Sequence, residues 1–274
     1  MMQAVRNYCG VVVILVWGLA PFYWMVVTAL RDKDHTFDTT PWPTHVTLEN
    51  FGDALATDKG NDFLGAIGNS LLVGAVTTFL AVLVGVFTAY AIARLDFRAK
   101  GIVTGIVLAA SMFPGIALVT PLFQLFGDLG WIGTYRALII PNISFALPLT
   151  IYTLVSFFRQ LPWELEEAAR VDGATRGQAF RLVLLPLAAP ALFTTAILAF
   201  IATWNEFMLA KQLSSNATEP VTVAIARFSG PSAFEYPYAA IMAAGTLVTI
   251  PLVIMVLVFQ RRIVAGLTAG GVKA

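Results

Sequence analysis

Long runs of apolar residues without a charged side chain dominate this sequence and limit what it can fold into. Six such runs are bounded by charged residues, at about 8–30, 68–93, 102–126, 137–158, 182–205 and 237–260. A helix needs roughly 20 apolar residues to cross about 30 Å of hydrocarbon, and a bilayer offers no water to an open sheet edge. The sequence therefore predicts an all-α, polytopic membrane protein with six transmembrane helices.

The first and third runs carry additional signals. The run at 8–30 is longer than the roughly 7 to 15 apolar residues of a signal-peptide core, so we expect it to remain as an anchor. Pro114 and Pro121 lie inside the third run and predict a bent or interrupted helix, because proline removes a backbone donor.

The overall composition excludes several functions. Hydrophobic residues make up 58% of the chain and charged residues 12%, which is about half the charged share of a soluble domain. The net charge of +1, without a basic patch, offers no surface to nucleic acid. Cys9 is the only cysteine, so an internal disulfide is impossible, and we predict no metal site.

The distribution of positive charge indicates the orientation of the six spans. With the N-terminus placed in the cytoplasm, eleven of the 17 lysines and arginines fall on the cytoplasmic side. Cytoplasmic loops retain such residues. We therefore expect a multi-pass protein of the cell membrane with both termini cytoplasmic and with external loops at 31–66 and 206–235.

The fourth and fifth runs are joined by a segment, residues 160–181, that is longer than a simple turn requires. Pro162 suits a first helical position, and Gly173 suits a helix end. Thr175 with Gln178 forms a capping-box pattern that starts a second helix, and we expect this helix to run toward Pro186 and into the fifth run. The segment is predicted to be a helix, a glycine bend and a second helix on the cytoplasmic side. On pattern alone, a solvated connector reads in the same way.

The spacing of residues in this segment resembles a known motif. Glu167-Ala168-Ala169, Gly173, Val183 and Leu185-Pro186 are similar to the EAA motif of binding-protein-dependent ABC importer permeases, with valine in place of the usual isoleucine. Three further stretches resemble the MalG-like branch of carbohydrate importers. They are Ala89 to Phe97, Trp204-Asn205-Glu206-Phe207 and the tail from Gln260 to Lys273.

This resemblance implies the type I ABC importer permease fold and the function of a permease subunit in an ATP-driven sugar importer. It also implies that the cytoplasmic segment forms a coupling helix on an ATPase subunit. The residues expected in that coupling contact are Glu167, Ala168, Ala169, Arg170, Asp172, Gly173 and Pro186. The other partners implied are a second, homologous permease, an ATPase dimer and an extracytoplasmic sugar-binding protein.

If transport is driven by ATP, hydrolysis must occur on another chain. A phosphate-binding loop needs lysine followed by serine or threonine, and none of the five lysines is followed by either. ATP and Mg²⁺ are therefore expected on the partner ATPase, with no cofactor in this chain. His35 and His45 lack an obvious nucleophile, so no catalytic residue is predicted. The rival interpretation is a self-sufficient secondary transporter or a membrane-embedded enzyme, although the spans lack the internal charges that ion-coupled carriers use.

The substrate path is the least constrained part of the sequence. Neutral sugars are bound through hydrogen bonds and aromatic faces, which makes Asn69, Trp204 and Asn205 candidates near the span ends. Trp204 equally suits an interfacial aromatic belt, and Asn69 equally suits a helix start. Trehalose, maltose, amino sugars and sugar phosphodiesters all remain open as substrates.

Overall fold

The computed structural model describes residues 2–56, 62–228 and 237–269, and these residues are mainly helical. A 3-10 turn lies at Gly115–Leu118 and a π-helical stretch at Phe180–Leu184. The α-helices are α1 (Met2–Ala29), α2 (Glu49–Leu55), α3 (Phe63–Arg94), α4 (Lys100–Met112), α5 (Val119–Asp128), α6 (Tyr135–Gln160), α7 (Glu164–Val171), α8 (Arg176–Ala179), α9 (Leu185–Leu187), α10 (Ala189–Trp204), α11 (Met208–Leu213), α12 (Val221–Ala226) and α13 (Tyr238–Ala269).

The helix lengths match the bilayer plan expected from the apolar runs. By length and composition, four helices in the described part of the chain can cross a membrane, namely α1, α3, α6 and α13. Two bent helix pairs raise the number of spans to six if each pair forms one crossing. The predicted external loops are not plain loops, because α2 lies in the first, and α11 and α12 lie in the second.

The third apolar run is broken at the proline that the sequence singled out. Helix α4 ends at Met112, and the chain resumes after Pro114 with an axis turned by 91°. Phe113 is extended, as expected for a residue that precedes proline. Pro121 lies in the first turn of α5. A backbone N–H in the first turn has no acceptor within the helix, so proline is tolerated there.

The fifth run also bends, which the sequence did not predict. A helix continuous from Thr175 through Pro186 into the run at 182–205 was expected, but the axis turns by 70° between the segment ending at Leu187 and α10. Pro190, in the first turn of α10, cannot donate to the carbonyl of Pro186. Two prolines four residues apart thus separate the short helices from the span.

Contacts divide the chain into two units, of which the first contains Met1–Ile67 and Val223–Ile254. Its loop after α1 is organised by Arg31, which is fully buried although charged. The guanidinium group of Arg31 donates to the carbonyls of Asp38 and Thr40 and lies 5.1 Å from the centre of the Trp24 ring. Asn50 from α2 donates to the carbonyl of Arg31 at 2.6 Å, so this loop, which the sequence predicts to be external, is folded against the end of α1.

The second unit contains Gly68–Thr222 and Met255–Ala274. One apolar cluster joins α3, α6, the π-helical stretch and α10. Its buried members are Val86, Ala89, Ala93, Leu154, Phe158, Phe180, Leu184, Ala188 and Ala191. Alanine is frequent in this cluster, which allows close helix approach, as membrane interfaces require.

Gly85 marks a close approach of α3 to α6. A Cβ atom at position 85 would lie 2.5 Å from Cγ2 of Thr150, a distance that real contacts do not reach. Thr150 is buried, so its methyl group has little room to move. The close packing of α3 on α6 therefore depends on the lack of a side chain at Gly85, which leaves room for the methyl group of Thr150.

We predict that Gly85→Ala destabilises the protein by about 1–3 kcal/mol, the usual cost of overpacking. Adding Thr150→Ser removes the opposing methyl group and should restore most of the loss. The matched control is Gly105→Ala in α4, where a Cβ meets nothing within 4 Å. Thermal unfolding of the purified protein in detergent measures all three variants. An unchanged unfolding temperature for Gly85→Ala contradicts the packing assignment.

Candidate functional site

The segment between α6 and α10 adopts the predicted helix, bend and helix. Helix α7 begins at Glu164, two residues after Pro162, and Gly173 follows it with a φ of +91°, which favours glycine. The Thr175 hydroxyl accepts from the backbone N–H of Gln178 at 3.3 Å, and the Gln178 side chain accepts from the backbone N–H of Thr175 at 2.8 Å. The capping box is thus complete, and two short helices are held at a fixed bend.

Most of the motif residues expected in the coupling contact lie on an open surface. The side chains of Glu167, Ala168, Arg170 and Asp172 are exposed, Gly173 is exposed, and Ala169 is partly exposed. Val171, which the sequence analysis did not single out, is 87% exposed at the end of α7. Pro186 is exposed as well, but it lies on α9 beyond the π-helical stretch. An apolar and charged surface of this kind suits a protein partner.

The opposite face of α7 is attached to the end of α3. The Tyr90 hydroxyl donates to Oε1 of Glu166 at 3.1 Å. The Arg94 guanidinium donates to the Leu161 carbonyl and lies 4.4 Å from the centre of the Trp163 ring. Sequence analysis missed this attachment, although Tyr90 and Arg94 belong to the stretch at 89–97 that it quoted.

The three candidate substrate residues make mainly structural contacts. The side-chain amide of Asn69 donates to the carbonyls of Ala217 and Glu219 at 3.2 and 3.0 Å, and its oxygen accepts from the Tyr135 hydroxyl at 2.7 Å. Trp204 is buried and stacks on a neighbouring phenylalanine of α10. Asn205 is exposed, and its amide donates to a carbonyl one turn back in α10. Their role in the sugar path stays a prediction.

A cavity of about 300 Å³ is lined by Thr203 and Glu206, on either side of Trp204 and Asn205 in sequence, but by none of the three candidates themselves. Its wall combines apolar groups such as Phe145 with the polar side chains of Asn142, Thr203 and Glu206. The Glu206 carboxylate accepts from two backbone N–H groups at the start of α11, at 2.8 and 2.9 Å. Asn142, a lone amide inside the fourth apolar run, is the signal that sequence reasoning passed over.

The two histidines lie together in the loop after α1. Nδ1 of His35 lies 2.6 Å from Oδ1 of Asp32, and the His35 and His45 rings stack with centroids 4.0 Å apart. The hydrogen bond to the carboxylate raises the pKa of His35, and the same bond lowers the pKa of Asp32. One ligand atom from each of the three side chains lies within 4.8 Å of the others, so the expected absence of a metal stays a prediction.

A membrane-transport family accounts for most of the chain. Residues 81–268 match the family described as "Binding-protein-dependent transport system inner membrane component". That span includes the EAA-like segment and the cavity. The chain therefore belongs to this family, and it is a multi-pass transport subunit and not an enzyme.

Named relatives and solved structures agree with this assignment. The trehalose transport permease SugB of Mycobacterium tuberculosis is 47% identical, over 94% of this chain and 93% of that protein. The trehalose/maltose transport permease MalG of Thermococcus litoralis is 42% identical, over 96% and 95%. A bacterial ABC transporter that imports the acidic polysaccharide alginate shares the fold, with a TM-score of 0.79, 21% identity and coverage of 95% and 96%. The predicted carbohydrate ABC permease family is confirmed.

We predict that the pKa of His35 lies above its usual value and returns towards it in the Asp32→Asn variant. Because the pKa of His35 is raised and that of Asp32 is lowered, their attraction weakens when pH rises through the former or falls through the latter. An NMR titration of the imidazole signals measures this change. Asp34→Asn, which alters a neighbouring carboxylate without this hydrogen bond, is the control. A His35 pKa that is unchanged by Asp32→Asn contradicts the pairing.

Proposed function

We propose that this chain forms one half of the translocation path of an importer for disaccharides of the trehalose and maltose type. The supporting observation for the substrate class is that two relatives, SugB at 47% identity and MalG at 42%, are both named for trehalose transport. The supporting observation for the mechanism is the exposed α7 surface, which carries the EAA-like residues. The other half of the path is a second, homologous permease.

In this proposal, ATP and Mg²⁺ bind to a dimer of ATPase subunits, because this chain carries no phosphate-binding loop. Both termini and α7 lie on the cytoplasmic side, in keeping with the distribution of lysine and arginine. An extracytoplasmic binding protein delivers the sugar to the opposite side, as the family description implies. Closure of the ATPase dimer carries α7 with it and rocks the spans between inward-facing and outward-facing states.

The α7 surface has the properties of a docking contact. Ala168 and Val171 present small apolar groups, and Glu167, Arg170 and Asp172 provide charges that can pair across an interface. The positive φ of Gly173 fixes the direction of the chain as it leaves this surface. The contact is therefore a rigid element that can transmit force.

The cavity at Asn142, Thr203 and Glu206 provides a place for the sugar. A volume of about 300 Å³ is at the small end of ligand pockets and suits a single sugar ring. Phe145 offers an apolar ring face, and Asn142 and Glu206 offer polar atoms. We propose that one ring of the disaccharide passes through this cavity, next to the Trp204-Asn205 pair that the sequence suggested.

For the coupling contact, we predict that Ala168→Trp lowers sugar uptake by about tenfold, because a misfit of about 1.4 kcal/mol at the interface suffices for that loss. Ala99→Trp is the matched control, since Ala99 is exposed on the side predicted to be cytoplasmic but lies outside α7. Uptake and ATPase activity are measured in vesicles that contain both permeases, the ATPase and the binding protein. Normal uptake by Ala168→Trp refutes the coupling role, and uptake by this chain alone supports the secondary transporter.

For the sugar path, we predict that the assembled importer takes up labelled trehalose or maltose and that Asn142→Leu reduces this uptake by about 5- to 100-fold, the effect of losing one buried polar contact. Asn205→Leu, the same change outside the cavity, should have little effect. The amount of chain in the membrane is compared for both variants. Loss of uptake in Asn205→Leu alone would favour the site suggested by the sequence over the cavity, and uptake of neither sugar overturns the substrate class.

A further inference from the structure

Two charged side chains are buried where α3 ends against the start of α7. Arg94 is 6% exposed and Glu166 is 7% exposed. Buried charges are costly unless they are paired and fully hydrogen-bonded. Among the described residues, no ion pair within 4.0 Å forms between these two or with any other side chain at this position.

The contacts between α3 and α7 form two neighbouring levels. Tyr90 and Arg94 are four residues apart on α3, so they lie on one face a single turn apart. Trp163 and Glu166 are three residues apart at the start of α7 and are also one turn apart. Tyr90 contacts Glu166, and Arg94 contacts Trp163. The Arg94 guanidinium and the Glu166 carboxylate are therefore one helical turn apart. One helix would have to shift along the other for these two groups to meet.

Each charged group has unused bonding capacity. Nε and Nη1 of Arg94 and Oε2 of Glu166 are buried and have no hydrogen-bond partner among the described residues. A buried donor or acceptor without a partner is destabilising. The unused atoms belong to opposite charges, so a small displacement of α7 along α3 would satisfy both. Helix shifts of about 1–2 Å are a common part of switching transitions.

The ring of Tyr90 connects this pair to the rest of the unit. It lies 4.5 Å from the Phe180 ring and 6.2 Å from the Phe158 ring, measured between centroids. Phe180 begins the π-helical stretch, and Phe158 lies near the end of α6. π-Helical turns occur frequently at functional sites. A displacement of Tyr90 therefore reaches α6 and the π-helical stretch through packed rings.

We propose that Tyr90, Arg94 and Glu166 are positioning residues that link the coupling helix to the spans, and that Arg94 forms an ion pair with Glu166 when α7 shifts during transport. The Tyr90–Glu166 hydrogen bond holds the state described here, and the Arg94–Glu166 pair holds the alternative state. This proposal rests on the coupling role of α7. It concerns the inner face of that helix, whereas the docking contact uses its outer face.

The test is a double-mutant cycle in vesicles that contain the complete importer, with Glu166→Gln, Arg94→Gln and the double variant. Each single change leaves one buried charge without its counterpart, so we expect each to lower uptake by about tenfold or more. The double variant removes both charges and should transport at least about fivefold more than the product of the single effects predicts. Effects that multiply without this recovery overturn the ion pair.

Tyr90→Phe keeps the ring packing and both charges, so it tests the link even if a charge variant fails to assemble. We expect it to raise the ATP hydrolysed per sugar transported, with a normal amount of assembled importer, because the hydrogen bond that holds α7 is lost. Tyr152→Phe is the matched control, since Tyr152 is exposed on α6. An unchanged ratio in Tyr90→Phe overturns the positioning role.

Ala168→Trp separates this proposal from the proposed function. If α7 is not a coupling element, Ala168→Trp leaves uptake normal. If only the inner-face link is wrong, Ala168→Trp still reduces uptake, while the Arg94 and Glu166 effects multiply independently and Tyr90→Phe behaves as wild type.

Discussion

Backbone hydrogen bonding in a medium without water is the constraint on which this structure depends. Hydrocarbon forces every spanning segment into a helix, and a proline that removes a backbone donor can interrupt that helix, although Pro141 and Pro148 both lie inside the continuous α6. The breaks near Pro114 and at Ala188 follow this rule, with turns of 91° and 70°. Both breaks lie next to parts of the candidate site, because Gly115, just after the first, lines the cavity at Asn142, and the second separates the α7 segment from α10.

The same solvent logic explains the two faces of α7. Its outer face presents Glu167, Ala168 and Arg170 to water or to a partner, where charge costs little. Its inner face buries Glu166 against Tyr90, where a carboxylate is tolerated only with bonding partners. A helix of eight residues is too short to be stable alone. The contacts with Tyr90 and Arg94, together with the Thr175–Gln178 capping box, therefore hold it in place.

Several features of the fold and site could be predicted from sequence, and others could not. Apolar runs predicted helices long enough to cross a membrane, Gly173 and Thr175 predicted the bend, and the EAA-like spacing indicated the family, because each signal is local. The bend at Ala188 was missed since the effect of Pro190 depends on the acceptor four residues earlier. Tyr90 and Glu166 are hydrogen-bonded to each other but lie 76 positions apart in sequence, and no local pattern encodes such a contact. For the same reason, the sequence suggests a sugar contact or a helix start at Asn69, whereas its amide donates to the carbonyls of Ala217 and Glu219, about 150 positions away.

Helix α6 provides a physical connection between the two ends of the second unit. Asn142, near its start, lines the cavity, and Phe158, near its end, packs with Tyr90 beside α7. At 1.5 Å per residue, these two positions are about 24 Å apart along one helix. Thr150 lies between these two positions of α6 and packs against Gly85 of α3, so the two helices are in close contact there. A shift at Tyr90 that moves both helices as a pair would reach Asn142 without any side-chain relay, because a packed helix pair moves as a rigid body more easily than it deforms.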